Sequence, residues 1–322
     1  MEGAVIVINL SIIIPHYNSV DSLIKLLNSI PDQEDVQVIV IDDKSDKFTE
    51  DYTYLRDSKA YEHVAFLDNA SCVKGAGVCR NIGLMNAQGN WLLFADADDF
   101  FIGGFYDYVA KFFDTHNDIV FFPPTSRDNL TGETSDRHLR YKKLVQNYIE
   151  NPDDEALLDL RYKFYVPWSK LFRRSFVKDN GIFFDETIAS NDLMFSTKTG
   201  HYMKLFSVSD EIIYSVTKDV GTLTKNTSEK VFDARVAVHI DYCKFLHDNA
   251  PEWYIKKQSL RSGGLILKAI NYEFGVIKAI STYKLFSKHQ IPVFRMRDLN
   301  LRTLKKLIHY KSEHNKQKKY LT

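Results

Sequence analysis

The sequence predicts an α/β fold with a mostly parallel central sheet, followed by a helical C-terminal region. Three observations lead there. Through the first third, apolar runs of strand length alternate with helix-spaced patterns, which puts helices on both faces of a parallel sheet. Two of those runs end in carboxylates, at Asp42-Asp43 and at Asp96, Asp98 and Asp99. In open sheets of this kind ligands bind beyond the carboxyl ends of the strands. From about residue 229 onward the pattern is helical, with few turn signals apart from Pro251 and Gly263-Gly264.

The elements follow in order. Residues 6–15 read as a buried strand. Over 19–30, Val20, Leu23, Ile24, Leu27 and Ile30 fall at helical spacing. Strands are predicted at 36–41 and 64–67, then a helix over 75–87 stopped by Gly89. A fourth strand spans 91–95. A helix near 103–115 and a strand at 119–122 come next. Residues 125–160 are polar and read as a loop with one or two helices. Residues 162–225 mix apolar and turn patterns, and the spacing places a boundary near 226.

Composition narrows the class. A chain of 322 residues with 44% hydrophobic and 13% aromatic residues is globular, neither fibrous nor disordered. Lys+Arg and Asp+Glu are 42 each, but the balance is uneven. Residues 291–322 carry nine Lys/Arg against two acids, so the tail is +7 and the first 290 residues are −7. Such a tail suggests attraction to an anionic surface, lipid headgroups or nucleic acid; a solvated tail is the plain alternative. Within it Leu301, Leu304, Leu307 and Ile308 share one helical face, and Arg302, Lys305, Lys306 and His309 fall largely off it. A helix of this kind can lie in an anionic headgroup layer, or its leucines can pack on the rest of the chain or on a second copy. No run reaches the length of a membrane span. The richest, residues 4–15, is broken by Asn9 and Ser11 and lacks a signal peptide's basic start and cleavage site. Three cysteines without a CxxC argue against a disulfide framework and for a reducing compartment.

The chemistry concentrates at the strand ends. Asp96, Asp98 and Asp99 repel one another unless a hard divalent cation, with its preference for oxygen ligands, sits among them. Such an ion can bridge to a diphosphate and neutralise charge that grows as the phosphate leaves. The bland alternative is a solvated acidic turn. Asp42 can accept hydrogen bonds from a base N–H or a ribose hydroxyl, or simply close a turn. Arg80 can grip a phosphate or base edge through its planar fork, or be a surface residue beside a flexible loop. Gly75 and Gly77 at the start of its helix permit close backbone approach to a ligand. The ten histidines show no HxH or HxxxH pairing, and His16 reads as a loop residue.

Four segments then resemble the motifs of family 2 glycosyltransferases, in order and spacing. Ser11 to Asn18 resembles the opening strand motif, and Val40 to Ser45 the second, which usually reads Asp-Asp-Gly-Ser. The stretch from Gly75 through Arg80-Asn81 to Gly89 looks like the Ala-Arg-Asn helix, and Phe94 to Asp99 looks like the DxD motif. The likeness is strong over 10–100 and loose over 165–225. It implies a GT-A, Rossmann-like fold over 1–225, with a nucleotide-sugar half (1–125), an acceptor half (126–225) and a helical region with basic tail (226–322). It also implies inverting sugar transfer from a nucleotide-activated donor, most often a UDP-sugar, to a saccharide acceptor, in cell-surface polysaccharide synthesis. By matching position Pro15, Tyr17, Asp42 and Arg80 would contact the nucleoside and diphosphate. Asp96 would touch the ribose, and Asp98 would bind the divalent ion, Mn²⁺ or Mg²⁺. Nucleic acid drops out as a partner. The expected location is cytoplasmic, peripheral on the inner membrane face if the acceptor is lipid-linked.

Inverting transfer needs a carboxylate to take the acceptor hydroxyl's proton. The family usually supplies it from a Glu-Asp pair opening a helix. Here the pair reads Asn191-Asp192, so Asp192 is the expected base, with Asp185 and Glu186 behind it and a helix N-cap as its plain alternative. Trp168 could stack on an acceptor sugar or belong to the core. Thr222 and Lys225 correspond loosely to a loop over the diphosphate. Lys44 stands where the family has Gly, which implies either a backbone without positive φ or a mildly strained turn. Two other readings are a non-catalytic glycan-binding module on a degenerate fold of this type, and a sugar-phosphate nucleotidyltransferase. The latter would want a Gly-rich basic loop after the first strand, and residues 15–20 offer none.

Overall fold

The computed structural model describes residues 7–218, 228–258, 262–272 and 274–293. The chain divides into two compact units, Met1–Lys225 and Asn226–Thr322. In the first, β1 (Leu10–His16), α1 (Val20–Leu27), β2 (Val36–Asp42), α2 (Thr49–Arg56), β3 (Val64–Asp68), α3 (Ala76–Asn86) and β4 (Trp91–Phe94) come in that order. There follow β5 (Phe100–Phe101), α4 (Phe105–Ala110), β6 (Ile119–Phe121), β7 (Thr125–Asp128), α5 (Leu139–Glu150) and α6 (Asp154–Lys163). The unit closes with β8 (Lys170–Arg173), α7 (Arg174–Asp179), α8 (Leu193–Tyr202), β9 (Phe206–Val208) and β10 (Tyr214–Lys218).

A seven-stranded sheet runs β3-β2-β1-β4-β8-β6-β9, and a three-stranded one runs β5-β10-β7. The β3-β2-β1-β4 half is parallel, whereas β8 runs antiparallel to both β4 and β6. The alternation rule of a pleated strand sorts the core. Ile12, Ile14, Val38, Val40 and Leu93 face one apolar layer, with Leu23 and Leu26 of α1. Ile13, Ile39, Ile41, Leu92 and Phe94 face the other, with Cys79 of α3. With both faces covered, each such side chain contributes about 1.5–3 kcal/mol by leaving water, which is why these strands read as continuous apolar runs. Gly83 brings α3 onto the sheet, since a Cβ there would meet Ile13 at 2.3 Å.

Several boundaries differ from the sequence reading. The first strand begins at Leu10, not at residue 6. The helix expected near 103–115 ends at Ala110. Residues 125–160 hold two helices but also β7, whose Thr-Ser-Arg-Asp sequence has no strand pattern and which forms by pairing with β10.

In the second unit α9 (Glu229–Asn249), α10 (Glu252–Lys257), α11 (Gly263–Asn271) and α12 (Gly275–Lys288) follow one another. Ser228 caps α9 by accepting from the Val231 N–H. Lys278 of α12 bridges Glu229 and Asp233 of α9, at 2.9 and 2.6 Å. No helix among the described residues is long and apolar enough to cross a membrane. The leucine and lysine positions of the tail, Leu301 to His309, lie outside the described residues, as do Thr222 and Lys225.

Candidate active site

The parallel register of β1 and β2 sets His16 beside Asp42 at the carboxyl end of the sheet. His16 is therefore not a loop residue: it ends β1, is buried, and stacks on Tyr52 at 4.7 Å. Its Nδ1 lies 2.8 Å from Asp42 Oδ1, while its Nε2 accepts from the Ser19 N–H at 3.2 Å. With Nε2 accepting there, Nδ1 is the nitrogen that donates to Asp42. Ser45 gives Asp42 two more bonds, from its hydroxyl (2.6 Å) and its N–H (2.9 Å). Burial alone would raise the Asp42 carboxyl, but the bonds from His16 and Ser45 outweigh it and hold the carboxyl below its ordinary range. The turn behind Asp42 takes the strained alternative, with Lys44 at φ 58°. Asp43 is buried and accepts from Asn69 Nδ2 at 2.8 Å.

Pro15 is buried within β1, in register with Ile41. Tyr17 is 45% exposed; its hydroxyl bonds Asp46 at 3.2 Å and Lys74 Nζ lies 3.7 Å over its ring. A cleft of about 530 Å³ opens beside Asp42, lined also by Ser45, Tyr52, Arg56 and Asp68.

The surface alternative for Arg80 does not hold, because its guanidinium is buried and joins two distant segments. Nη2 donates to Asp96 Oδ1 at 2.5 Å and Nη1 to Asn191 Oδ1 at 2.7 Å, and the plane lies 5.3 Å from the Phe184 ring. The glycines ahead of it approach the chain's own loop instead of open ligand space. A Cβ on Gly77 would lie 2.2 Å from the Asp185 carbonyl, and one on Gly75 3.2 Å from that of Thr187. Asn81 completes the docking of that loop by exchanging bonds with the Phe184 backbone, at 2.9 and 3.0 Å.

Oxygens of Asp96, Asp98 and Asp99 lie within 4.8 Å of one another. The three differ in how they are held. Asp96 is half-buried and paired to Arg80. Asp98 is half-buried. Asp99 is 3% exposed and spends both oxygens on β10, accepting from the Tyr214 hydroxyl (2.8 Å) and the Thr217 N–H (2.7 Å). Burial, then the charges of Asp98 and Asp96, push its carboxyl well above the ordinary range. Asp96 and Asp98 are the less buried members of this group, and a hard cation beside them would relieve the repulsion among the carboxylates.

Asp192 occupies the N-cap position of α8 but makes no side-chain capping bond, so capping does not account for it. Desolvation raises its carboxyl, opposed by the charges of Arg80 and Lys170 and reinforced by Asp96. Asp185 is half-buried and Glu186 exposed on the loop that α3 holds. Trp168 is 6% exposed and stacks on Tyr214 at 5.8 Å, with Tyr141 edge-on at 5.1 Å. Its ring is part of the core, the plain alternative for this residue. Lys170 is buried, donates to the Phe164 carbonyl at 3.0 Å, and is pushed down to about 7 by desolvation.

A family profile described as "Glycosyl transferase family 2" matches residues 11–181. The chain belongs to that family. It is 30% identical over 217 residues to the poly(ribitol-phosphate) beta-N-acetylglucosaminyltransferase TarS of Staphylococcus aureus, covering 66% of this chain and 36% of that protein. The chain thus spans about a third of that relative's length. Its fold matches the crystal structure of S. aureus TarS 1–349 in complex with UDP-GlcNAc, with a TM-score of 0.59 and 21% identity over 82% of this chain and 73% of that one. It also matches the mannosyltransferase PcManGT from Pyrobaculum calidifontis in complex with GDP-Man and Mn²⁺, with a TM-score of 0.53 and 13% identity over 95% and 86% of the two chains. The fold is thus that of GT-A glycosyltransferases, a mixed α/β unit followed by helices.

His16, Asn69, Lys170 and Tyr214 were not singled out as functional from the sequence. A signal existed for His16, which directly follows the first apolar run within the Ser11 to Asn18 motif. Of the others, Asn69 and Tyr214 carry no motif, and all three take their places from packing.

Proposed function

We propose that this glycosyltransferase moves a sugar from a UDP-sugar to a hydroxyl of a cell-surface polymer of the teichoic type, with inversion and with a divalent cation. The observation that carries this reading is the Arg80 bridge. One guanidinium ties Asp96 of the DxD motif to Asn191, beside Asp192. Arg80 and Asn191 stand 111 residues apart in sequence, and their bond supports a site shared by donor-side and acceptor-side motifs. The UDP-GlcNAc and poly(ribitol-phosphate) in the relatives' names support the donor and polymer classes. The Mn²⁺ of the mannosyltransferase structure supports the cation.

Asp42, oriented by His16 and Ser45, presents a carboxylate to the nucleoside. Asp98 would hold the cation, with Asp96 beside it toward the ribose. When bound, that ion supplies positive charge to offset the diphosphate leaving group. Asp192 takes the proton from the attacking acceptor hydroxyl. Its raised carboxyl must be deprotonated to act, so the acid limb of kcat/KM lies above the ordinary carboxylate range. Attachment to an anionic membrane surface is proposed for the basic tail alone.

Hydrolysis and transfer assays with UDP-, GDP- and dTDP-sugars test the reading. Asp192→Asn should bind UDP as the parent does yet lose at least ~10²-fold in turnover, the scale of a lost general base. Asp98→Asn should lose turnover with little change in melting temperature, and EDTA should abolish it in the parent. Full turnover in EDTA removes the cation, and full turnover by Asp192→Asn removes the base.

A further inference from the structure

We propose that Tyr214 and Asp99 are positioning residues that clamp the acidic turn, fixing where Asp96 and Asp98 present their carboxylates. This rests on the donor-site reading above. The clamp is a chain of three bonds. The Asp96 N–H donates to Tyr214 Oη at 2.8 Å, and the same hydroxyl donates to Asp99 Oδ2 at 2.8 Å. The Thr217 N–H then holds Asp99 Oδ1 at 2.7 Å. Within the turn the Asp99 N–H also bonds the Asp96 carbonyl, at 3.0 Å. Both ends of the Asp96 to Asp99 segment are thus fastened to β10, one through a tyrosine hydroxyl that accepts and donates at once.

The tyrosine is itself immobilised. It is fully buried, stacked on Trp168, edge-on to Phe101 at 5.4 Å, and paired through the backbone with Phe101 of β5. Its hydroxyl therefore has one place to be. A buried hydroxyl and a buried carboxylate satisfying each other form a polar unit that rigidifies its surroundings only while complete. Asp98, the remaining carboxylate, lies between the two fastened residues in sequence. Its backbone is therefore carried by theirs. Arg80 holds the Asp96 side chain from the other side, so backbone and side chain of Asp96 have separate anchors. Preorganisation of this kind matters because a cation-diphosphate pair needs its ligands in place before it arrives.

Three full-length variants test the clamp. Tyr214→Phe removes one oxygen and keeps the ring. Asp99→Asn turns an N–H toward the tyrosine oxygen and leaves the hydroxyl hydrogen without its acceptor. Phe101→Leu loosens the same core without touching any of the three bonds. Mn²⁺ uptake is followed by electron paramagnetic resonance, UDP binding by calorimetry with and without Mn²⁺, and melting by circular dichroism. Tyr214→Phe and Asp99→Asn should weaken Mn²⁺-dependent UDP binding about tenfold, the size of one lost positioning bond. UDP binding without cation should stay near the parent's, and Phe101→Leu should melt lower yet keep parental Mn²⁺ and UDP affinities. Parental affinities in Tyr214→Phe, with melting lowered as in Phe101→Leu, would reduce the clamp to a structural contact. A parent chain that takes up neither Mn²⁺ nor UDP would overturn the donor-site reading and the clamp together.

Discussion

Replacing Arg80 by Met keeps an unbranched stem and deletes the guanidinium that lies over Phe184, leaving Asp96 and Asn191 without their shared partner. Arg80 is 5% exposed, so its charge is desolvated and its two bonds are charge-assisted. Hydrogen bonds to charged groups contribute about 1.5–3 kcal/mol each. The Asp96 side chain is 34% exposed, so water replaces part of what it loses. The sum is about 3 kcal/mol, within the 3–5 kcal/mol typical of a broken buried pair and toward its low end because of that water. For a unit of this size that corresponds to a melting shift of about 6–12 °C. Arg80→Lys keeps the charge but reaches one partner, so it should fall about midway. Urea unfolding followed by circular dichroism gives the stability, and calorimetry gives UDP affinity. In Arg80→Met the acid limb of kcat/KM should also move up, because Arg80 opposes the rise of Asp192. A stability loss under ~1 kcal/mol with unchanged UDP affinity would refute the bridge as the element joining the two motifs.

Gly77→Ala should destabilise by about 1–3 kcal/mol in urea unfolding despite alanine's better helix propensity, because its Cβ would lie 2.2 Å from a backbone carbonyl that side-chain rotation cannot move. Lys170→Met tests the buried amine by its pH dependence. Burial lowers Lys170 to about 7, so between there and its ordinary pKa the unfolded chain binds more protons and the parent gains stability as pH rises. The parent's urea stability should rise by about 1 kcal/mol per pH unit relative to Lys170→Met between roughly pH 7.5 and 9.5. A pH-independent difference between the two would mean that the lysine is not buried as an uncharged amine.

The elements legible in the sequence are those whose local pattern and tertiary fate agree. β1, β2 and β4 bury both faces, and their continuous apolar runs say so. The direction of β8 was not legible, since Lys-Leu-Phe-Arg reads the same either way; its antiparallel pairing with β4 brings Lys170 to the end of the sheet where Asp96 lies. β7 was missed because its partner β10 arrives some ninety residues later and supplies what its own polar side chains do not. The site divides in the same way. Asp42, Arg80 and Asp96 to Asp99 stand at strand ends or in a compact motif. His16, Tyr214 and Lys170 act through neighbours that only folding supplies. Trp168 was ambiguous because an aromatic suits a sugar face and a core equally, and burial decided for the core.

The departure at Asn191 makes sense in terms of charge. Asp96, Asp98, Asp99 and Asp192 gather near one end of the sheet, with Arg80 and Lys170 as the cations that act on Asp192. Lys170 is too desolvated to be a dependable counter-charge near neutral pH. Arg80 therefore carries most of the compensation. A glutamate at 191 would place a second carboxylate on the same guanidinium and divide its charge further. The asparagine oxygen accepts the same bond at 2.7 Å and brings no charge. The bridge is kept, while the full positive charge of Arg80 stays available to Asp96 and to Asp192. An amide at this position thus fits the proposal that Asp192 alone serves as the base.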